Sequence, residues 1–366
     1  MFHRFGLYFG YLCKMSQPQK RNIRHLTLDE VREYLESIGE KKFRVQQVWD
    51  WLWKHHAHSF AEMTNLSRDL REKLGQDFTL PALVIDATQY SADGTIKSRF
   101  RTHDGHMVEG VMIPTTERFT ACVSSQIGCS LSCRFCATGY IEKKRNLQFD
   151  EIFDEVVLIN RQCENVHRHK LTNIVFMGMG EPLLNYRHVL KAIERITAPD
   201  GLGMSPRRIT VSTAGVAKMI RQLGDDEVRF NLALSLHAAT DRKRNEIMGI
   251  NETNNLKSLV DALNHFYKKT GSKVTLEYIL FDKFNDSLQD ADDLIKIYRQ
   301  VPADLVNIIE YNPIEFARFK KPTEEKTTAF MAYLEKHRVN SRLRKSRGKD
   351  IDAACGQLAN KEIPAF

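Results

Sequence analysis

The sequence predicts an α/β protein, in which a partial (β/α)6 barrel follows a small helical N-terminal domain and a β-hairpin extension. Three observations lead to this fold class. From residue 119 onward, short apolar segments alternate with longer amphipathic ones, which is the pattern of βα units around a parallel sheet. Residues 25–82 have the periodicity of helices, and residues 83–118 have the alternation and turns of strands. Only six βα units can be counted, too few for a closed eight-unit barrel.

The composition is that of a globular protein with a basic surface. Of the 366 residues, 42% are apolar and 27% are charged, which is enough for one large core and an appendage. The net charge of +8 suits a phosphate-rich partner such as nucleic acid, although a basic protein without such a partner has the same charge. No segment reaches the roughly 20 apolar residues of a membrane helix. We therefore expect a cytoplasmic protein with no membrane partner.

Residues 1–24 are expected to form a basic, flexible arm. The short apolar run at 5–13 is followed by Lys and Arg rather than by a small-residue cleavage site, so it does not predict a signal peptide. Met15 is an alternative start of the protein, in which case residues 1–14 are an over-extended reading of the gene.

Residues 25–82 are expected to form a helical accessory domain. Thr27 and Glu30 have the spacing of a capping box, and Ser67 is placed to cap a later helix. The helix expected over residues 43–54 carries three tryptophans. They either stack on bases or form a small aromatic core, and the core is favoured because aromatic side chains contribute mostly by area burial.

Residues 83–118 predict about three antiparallel strands, because turns at Asp93-Gly94 and Asp104-Gly105 separate alternating segments. The barrel is expected over residues 119–349, and a loop over 350–366. The strands of the barrel are predicted at 120–125, 172–177, 208–213, 229–236, 274–280 and 304–311. Its helices are predicted at 148–164, 186–197, 215–223, 255–269, 287–300 and 323–337.

The decisive motif is Cys129-Ser-Leu-Ser-Cys133-Arg-Phe-Cys136. Seven cysteines, of which three lie within eight residues, argue against a secreted disulfide framework and for metal or redox chemistry. The motif follows the first barrel strand, at the strand end where ligands gather in parallel α/β folds. A zinc site needs four ligands, and here the fourth is remote. A 4Fe–4S cluster with three cysteine ligands keeps one iron open for a small molecule.

Further strand ends carry glycine or small polar groups that are suited to a small-molecule pocket. Gly180 and Glu181 lie in Met-Gly-Met-Gly-Glu-Pro, where glycine lets the backbone approach a ligand and the carboxylate accepts hydrogen bonds. The other strand-end candidates are Ser212, Ser235, Leu236, His237 and Asn312. Each alone is typical of a turn or cap, but together they indicate a binding site.

Three residues outside these motifs are candidates for chemistry. Cys122 lies seven residues before the motif, and Cys355 lies in a small-residue loop, Asp-Ala-Ala-Cys-Gly-Gln-Leu. Either they are buried structural thiols, or they react next to the cluster. Glu109 has apolar neighbours; periodicity alone favours an exposed strand carboxylate, whereas burial would make it a proton acceptor.

The cysteine motif, with an aromatic residue before its last cysteine, resembles the signature of the radical S-adenosylmethionine (SAM) superfamily. The chain closely resembles the RlmN family from about Leu26 to Leu358. Besides the cysteine motif, the segments that carry this resemblance are Met-Val-Glu-Gly-Val-Met-Ile-Pro, Gly-Met-Gly-Glu-Pro-Leu, Ser-Leu-His, Tyr-Asn-Pro and Asp-Ala-Ala-Cys-Gly-Gln-Leu. The resemblance implies a radical SAM core and a methyltransferase that acts on C2 of an adenosine in 23S rRNA, at the peptidyl transferase centre, and of the adenosine 3′ of the anticodon in tRNAs.

The resemblance also implies the role of each residue. Cys129, Cys133 and Cys136 hold one 4Fe–4S cluster, and the strand-end candidates from Gly180 to Asn312 contact SAM, of which two are used per turnover. Cys355 carries the methyl group as a thioether. Glu109 is the proton acceptor, and Cys122 resolves the protein–RNA link by forming a transient disulfide with Cys355.

The implied partners are 23S rRNA, tRNA and an electron donor such as flavodoxin or ferredoxin; no oligomeric state is indicated. The helical N-terminal domain and basic residues are expected to contact RNA phosphates. These are Lys143, Lys144, Arg145, Arg318, Lys320, Lys321, Arg342, Arg344, Lys345, Arg347 and Lys349. Two alternatives remain open: a Cfr-type enzyme that methylates C8, and a non-catalytic iron–sulfur protein that binds RNA or senses redox state.

Overall fold

A computed structural model describes residues 20–361 as two compact units, with the division between Pro81 and Ala82. The candidate start Met15, Cys13 and most of the expected arm lie outside the described residues. Within residues 20–361, none of the helices combines the length and the apolar character needed to cross a membrane.

The first unit is mainly helical. It contains strand β1 (Arg21–Asn22), helices α1 (Leu28–Ser37), α2 (Phe43–Trp53) and α3 (Arg68–Asp77), and strand β2 (Phe78–Thr79). Thr27 and Glu30 form the predicted capping box, and Ser67 accepts the backbone N–H of Leu70 at the start of α3. The three-helix pattern is therefore confirmed.

The expected arm extends too far into this unit. Residues Arg21–Asn22 pair in parallel with Phe78–Thr79, and Ile23 is fully buried. A buried apolar side chain and a strand pairing hold this stretch in place, so a flexible arm over residues 20–24 is wrong. The sequence does not indicate this strand or the burial of Ile23, because the neighbouring residues are basic.

Two of the three tryptophans form the predicted aromatic core. Trp49 and Trp53 are buried with ring centroids 5.9 Å apart. Trp51 is half-buried, and its indole N–H donates to Oδ1 of Asn65 at 2.6 Å. The burial interpretation therefore fits Trp49 and Trp53.

The second unit is a ten-stranded sheet with helices after most strands. Its elements begin with β3 (Val84–Tyr90), β4 (Ile96–Arg101), β5 (Met107–Pro114), β6 (Phe119–Cys122), a small pair β7 (Gln126–Ile127) and β8 (Arg145–Asn146), and α4 (Phe149–His167). They continue with β9 (Asn173–Phe176), α5 (Tyr186–Thr197), β10 (Ile209–Thr213), α6 (Ala217–Asp225), β11 (Asn231–Ser235), α7 (Asp241–Ile247) and α8 (Leu256–Thr270). The last are β12 (Val274–Leu280), α9 (Leu288–Tyr298), β13 (Ala303–Glu310), α10 (Glu324–Lys336) and β14 (Ser341–Arg344).

The sheet order is β14-β13-β12-β11-β10-β9-β6-β5-β4-β3. The pairs from β14 to β6 are parallel, and those from β6 to β3 are antiparallel. The α/β class is thus confirmed, and the predicted β extension is continuous with the barrel sheet rather than a separate body. All parallel strands end at one edge, where their following loops meet.

One parallel strand was not predicted. Strand β14 has the sequence Ser-Arg-Leu-Arg, in which a single apolar residue gives no strand signal. Its backbone pairs with β13, and Nε of Arg342 donates to Oδ1 of Asn307 at 2.8 Å. The barrel therefore has one more strand than the six counted from the sequence, and Arg344 ends it.

Candidate active site

A cavity opens at the carboxyl edge of the parallel strands, and it gathers most of the predicted site. Its wall contains all five cysteines singled out from the sequence, together with residues from six strand ends. The lining residues include Cys122, Cys129, Cys133, Cys136, Met177, Gly180, Glu181, Ser212, Ser235, His237, Glu277, Arg344 and Cys355. Leu236, Asn312 and Glu109 are not among the lining residues.

The cysteine loop (residues 129–141) is shaped by short-range backbone hydrogen bonds. The N–H of Cys136 donates to the carbonyl of Cys133, and the N–H of Gly139 donates to the carbonyl of Cys136. Gly128, just before the loop, has φ +73°, and a Cβ there would overlap the Glu142 carbonyl. The sequence spacing thus becomes a tight turn that presents three thiols to one cavity.

Phe135 anchors this loop in the core. Its side chain is buried, packs edge-on against the His237 ring at 4.7 Å between centroids, and contacts Phe281. The aromatic residue before the last cysteine therefore serves packing, and it fixes Cys133 and Cys136 relative to the strand ends.

The three motif thiols supply the donor set of a 4Fe–4S cluster with one open iron. Burial raises the pKa of Cys129 to about 11 and raises the pKa of Cys133 and Cys136 as well, so their thiolates need a nearby cation. Across residues 20–361, no three His, Cys, Asp or Glu side chains are arranged to hold one metal ion. Each cysteine of a cubane binds a different iron, and such sulfurs lie further apart than the ligands of one ion.

The Gly-Glu-Pro turn joins two strand ends. Gly180 has φ +91°, and a Cβ there would overlap Gln126, so only glycine fits. The Glu181 carboxylate is buried and accepts the N–H groups of Leu183 and Ala214 at 3.0 and 2.7 Å. Burial raises its pKa, and hydrogen bonds from Ala214, Leu183 and the Thr213 side chain oppose this.

A small polar group continues along the next strand ends. The hydroxyls of Ser212 and Ser235 lie 3.4 Å apart. Nδ1 of His237 accepts the backbone N–H of Ile279 at 3.1 Å, so the proton of the neutral ring is on Nε2. Burial and the nearby Arg244 lower the pKa of His237 to about 3. These side chains offer hydroxyl and N–H groups to a ligand without adding charge.

Two supporting residues were missed from the sequence. Arg244 is fully buried; its guanidinium donates to the carbonyls of Leu236 and Ala214 and to Oδ1 of Asn251. Asn285 is also fully buried; its amide donates to the carbonyls of His237 and Ile279. Arg244 lies in a charged helical run that is typical of a solvated face, so no local signal marked it.

Cys122 and Cys355 lie in the same cavity as free thiols. Cys122 ends strand β6 and is buried, and burial together with the charge of Cys355 raises its pKa to about 12. Cys355 is exposed in a loop, as its small neighbours predicted. Burial of its sulfur raises the pKa of Cys355, and the positive charge of Arg344 acts to lower it. Two thiols from distant parts of the chain thus share the cavity with the cysteine motif.

The C-terminal segment (residues 348–361) holds Cys355 in place by long-range hydrogen bonds. Asn312, which does not line the cavity, donates from Nδ2 to the Cys355 carbonyl at 3.3 Å. Oγ1 of Thr138 donates to the Leu358 carbonyl at 2.8 Å, and the N–H of Ala137 donates to the Gly356 carbonyl at 2.7 Å. Asn312 therefore positions the thiol-bearing loop in this structure.

Glu109 is buried, so the exposed interpretation from periodicity is wrong. Its Oε2 accepts the N–H groups of Ala359 and Asn360 at 2.9 and 3.1 Å, and Oε1 lies 3.7 Å from Nζ of Lys97. Alternation failed because β5 is covered on both faces: six of its eight residues are buried. The carboxylate thus fastens the C-terminal segment to strand β5.

Several basic residues expected at an RNA surface are committed elsewhere. Arg145 forms ion pairs with Asp104 and Glu151 and is half-buried. Lys321 and Lys349 both pair with Glu310. Arg344 lies in the cavity wall. Contact of Arg344 with RNA phosphates stays a prediction, and β14 places this partly exposed side chain at the cavity rather than on the outer surface.

Comparison with known proteins assigns the family. Residues 21–80 match the family model "Ribosomal RNA large subunit methyltransferase N-terminal domain", and residues 123–295 match "Radical SAM superfamily". A protein of Cytophaga hutchinsonii named "Probable dual-specificity RNA methyltransferase RlmN" is 53% identical over 96% of this chain and 98% of its own. The chain belongs to the RlmN family.

Other relatives agree with membership of the RlmN family. The "Dual-specificity RNA methyltransferase RlmN" of Geotalea uraniireducens is 41% identical over 94% of this chain and 98% of its own. The crystal structure of a radical SAM methyltransferase from Sphaerobacter thermophilus has a TM-score of 0.87 and 36% identity, and the match covers 92% of this chain and 99% of that one. The chain is therefore a radical SAM enzyme of the RlmN type, and the superfamily implies a 4Fe–4S cluster and SAM.

Proposed function

We propose that the protein methylates C2 of an adenosine in 23S rRNA and of the adenosine 3′ of the anticodon in tRNA, through a methylated Cys355. The observation that supports this most is the shared cavity: Cys122 and Cys355 lie with the three motif cysteines at one sheet edge. A non-catalytic iron–sulfur protein has no use for two further thiols there.

The cavity wall supports most of the proposed cofactor contacts. Cys129, Cys133 and Cys136 hold the cluster, and Gly180, Glu181, Ser212, Ser235 and His237 contact SAM from the wall. Leu236 and Asn312, which do not line the cavity in this structure, are proposed as SAM contacts from the family resemblance alone. When bound, the cluster and SAM supply a methyl group and a 5′-deoxyadenosyl radical. The protein positions these groups and excludes water, because adenine C2 is not nucleophilic and cannot be methylated by simple displacement.

In this proposal Cys355 takes the methyl group onto its sulfur. One hydrogen atom of this methyl group leaves in 5′-deoxyadenosine, and the remaining carbon bonds to adenine C2, which would give up its proton to Glu109 and one electron to the cluster. The Cys122 thiolate then attacks the sulfur of Cys355, and the S–C bond breaks with its electron pair going to the carbon, which takes up a proton to become the methyl group of the product. A Cys122–Cys355 disulfide remains until a reductant restores the thiols. Cys355 lies in an exposed loop that RNA can reach, whereas Cys122 is buried at the end of a strand.

Glu109 is proposed as the acceptor of the proton lost from C2. Its Oε1 accepts no close hydrogen bond within residues 20–361, and Nζ of Lys97 lies 3.7 Å from it. Because Oε2 is bound to Ala359 and Asn360, the C-terminal segment has to shift before the carboxylate reaches the cavity.

The test is expression in a host that lacks adenosine-C2 methylation, followed by mass-spectrometric mapping of methyladenosine in 23S rRNA and tRNA. We expect 2-methyladenosine at one rRNA position and 3′ of the anticodon. Finding only 8-methyladenosine would show the Cfr-type activity instead. A host in which neither product appears, with cluster-loaded protein present, contradicts the proposal.

A further inference from the structure

Glu277 lies in the cavity wall, and one of its carboxylate oxygens accepts no hydrogen bond from the described residues, 20–361. This residue lies on strand β12 and is buried. Its Oε1 accepts from Oγ1 of Thr275 at 3.0 Å and from Nδ2 of Asn307 at 2.6 Å. Its Oε2 accepts no hydrogen bond from any residue between 20 and 361. A buried carboxylate oxygen without a donor is costly, which points to a ligand that donates to it.

Arg344 lies beside this oxygen and keeps donors free. About a third of its side chain is exposed to the cavity. Its Nη1 is 3.7 Å from Oε2 of Glu277 and 3.7 Å from Sδ of Met177. Charge-assisted N–H···O bonds are roughly 2.7–2.9 Å long, so Arg344 and Glu277 form an ion pair without a direct hydrogen bond. The cavity wall thus presents a donor fork next to an acceptor.

We propose that Arg344 and Glu277 bind the edge of the adenine that is methylated: Arg344 donates to ring nitrogen N1, and Oε2 of Glu277 accepts from the exocyclic N6 amine. This inference rests on the proposed function and names the residues that select the base. Enzymes that act on an extruded base commonly contact its Watson–Crick edge in this way.

The choice of edge follows from where the pair lies. Adenine has an acceptor next to its amine on two edges, N1 with N6 and N7 with N6. C2 is bonded to N1, so binding through N1 places C2 beside Arg344. Arg344 lines the same cavity as both reactive thiols, Cys122 and Cys355. A hydrogen bond to N1 also withdraws electron density from C2 and favours carbon attack there.

The adenine of SAM has the same edge, so the two sources need to be separated. The proposed SAM contacts Glu181, Ser212 and Ser235 lie at or just after the ends of strands β9, β10 and β11. Arg344 instead ends β14, at the other end of the parallel strand order, and shares the cavity wall with Cys122 and Cys355. We therefore assign the pair to the RNA base rather than to SAM.

The experiment uses cluster-loaded protein without reductant and four fluorescent RNA hairpins. The target position holds adenosine, 1-deazaadenosine, 7-deazaadenosine or purine riboside, which lacks the amine. Dissociation constants are measured by anisotropy. We expect the wild type to lose roughly tenfold or more in affinity for 1-deazaadenosine and for purine riboside, and to bind 7-deazaadenosine as it binds adenosine.

Variants assign each contact. Arg344→Gln is expected to bind adenosine and 1-deazaadenosine equally. In Glu277→Gln, Asn307 keeps the amide oxygen on its side, so the new NH2 faces the base amine and discrimination against purine riboside is lost. Lys345→Gln is the matched control: it removes an adjacent exposed positive charge and is expected to weaken all four hairpins equally.

Three outcomes overturn the inference. Sensitivity to 7-deazaadenosine instead of 1-deazaadenosine contradicts the edge. Loss of SAM affinity by more than about twofold in both variants, with base discrimination unchanged, assigns the pair to SAM. Wild-type protein that methylates C2 but does not discriminate among the hairpins refutes this inference alone, whereas absence of 2-methyladenosine refutes the proposed function. The hairpin series on wild-type protein decides the question even if a variant does not fold.

Discussion

The cysteine loop and the C-terminal segment line the same cavity but are held in different ways. The loop is fixed by backbone bonds between near neighbours and by the buried Phe135 ring. The C-terminal segment is held by side chains distant in the chain, such as Asn312 and Glu109. One wall is therefore built into the fold, whereas the other depends on a few individual hydrogen bonds.

This difference matches the chemistry proposed for each wall. A cluster has to keep its geometry through many turnovers, and a packed loop provides that. A thiol that meets both SAM and RNA needs to change position, and a segment held by separate hydrogen bonds opens at modest cost. If the two walls are separable, a change at one wall should leave the other intact.

The largest effect is expected for the wall formed by the cysteine loop. Cys133→Ser removes a proposed cluster ligand, so iron content falls and formation of 5′-deoxyadenosine from SAM drops to the uncatalysed level. Iron analysis and product chromatography measure this. Cys163→Ala, which changes a buried cysteine on α4, is the matched control and should keep both. A Cys133→Ser protein with full iron content would contradict the ligand assignment.

Cys355→Ala tests the wall formed by the C-terminal segment. We expect iron content and SAM affinity to stay within about twofold of wild type, while methyladenosine falls below detection. The reason is that the thiol carries the methyl group but does not hold the cluster. If this variant lost its cluster, the two walls would not be separable, and the comparison would be wrong.

Glu109→Ala should loosen the C-terminal segment. The carboxylate accepts two backbone N–H groups, and hydrogen bonds to a charged group contribute about 1.5–3 kcal/mol. Amide hydrogen exchange of residues 353–361 should therefore be roughly 10–100-fold faster. Exchange in residues 129–141 is expected to be unchanged, and equal acceleration in both regions would refute the separate anchoring.

The stability of the wall formed by the cysteine loop should fall at low pH because of His237. Its folded pKa of about 3 lies below that of an unfolded histidine, so the unfolded chain binds more protons between these values and stability falls as pH falls. The loss is at most about 1.4 kcal/mol per pH unit below pH 6.5. Urea unfolding at pH 6.5, 5.5 and 4.5 measures it. His237→Gln should remove this slope, and an identical slope in the variant would show another group at work.

The smallest effect is expected for Thr138→Val. This change removes one neutral hydrogen bond to the Leu358 carbonyl, worth about 1 kcal/mol, while it keeps the volume of the side chain. Exchange at residues 356–359 should be about fivefold faster. A larger effect than that of Glu109→Ala would mean that the segment is anchored at the loop rather than at β5.

The sequence predicted the site wherever chemistry needs a fixed residue type at a fixed spacing. The three motif cysteines and Gly180-Glu181 are of this kind, and the structure brings them to one cavity. Most barrel strands were also located, because buried parallel strands are continuous apolar runs. Cys355 was singled out by its small-residue surroundings, and it does lie in an exposed loop.

The rest depended on tertiary contacts that no local pattern encodes. Arg244 has the sequence context of a solvated helix, yet it binds the carbonyls that shape the pocket. Arg344 was interpreted as a surface charge because β14 was not recognised. Glu277 did carry a signal: a carboxylate within the apolar run Val-Thr-Leu-Glu-Tyr-Ile-Leu is unusual for a doubly covered strand.

The central claim is that Cys355 carries the transferred carbon and that Cys122 releases it. The most direct test is the Cys122→Ala protein, reacted with SAM, reductant and substrate RNA, then digested with nuclease and protease. We predict that adenosine stays attached to the Cys355 peptide through a single carbon and that little free 2-methyladenosine forms. Release of 2-methyladenosine at the wild-type rate, with an unmodified Cys355 peptide, would contradict the account.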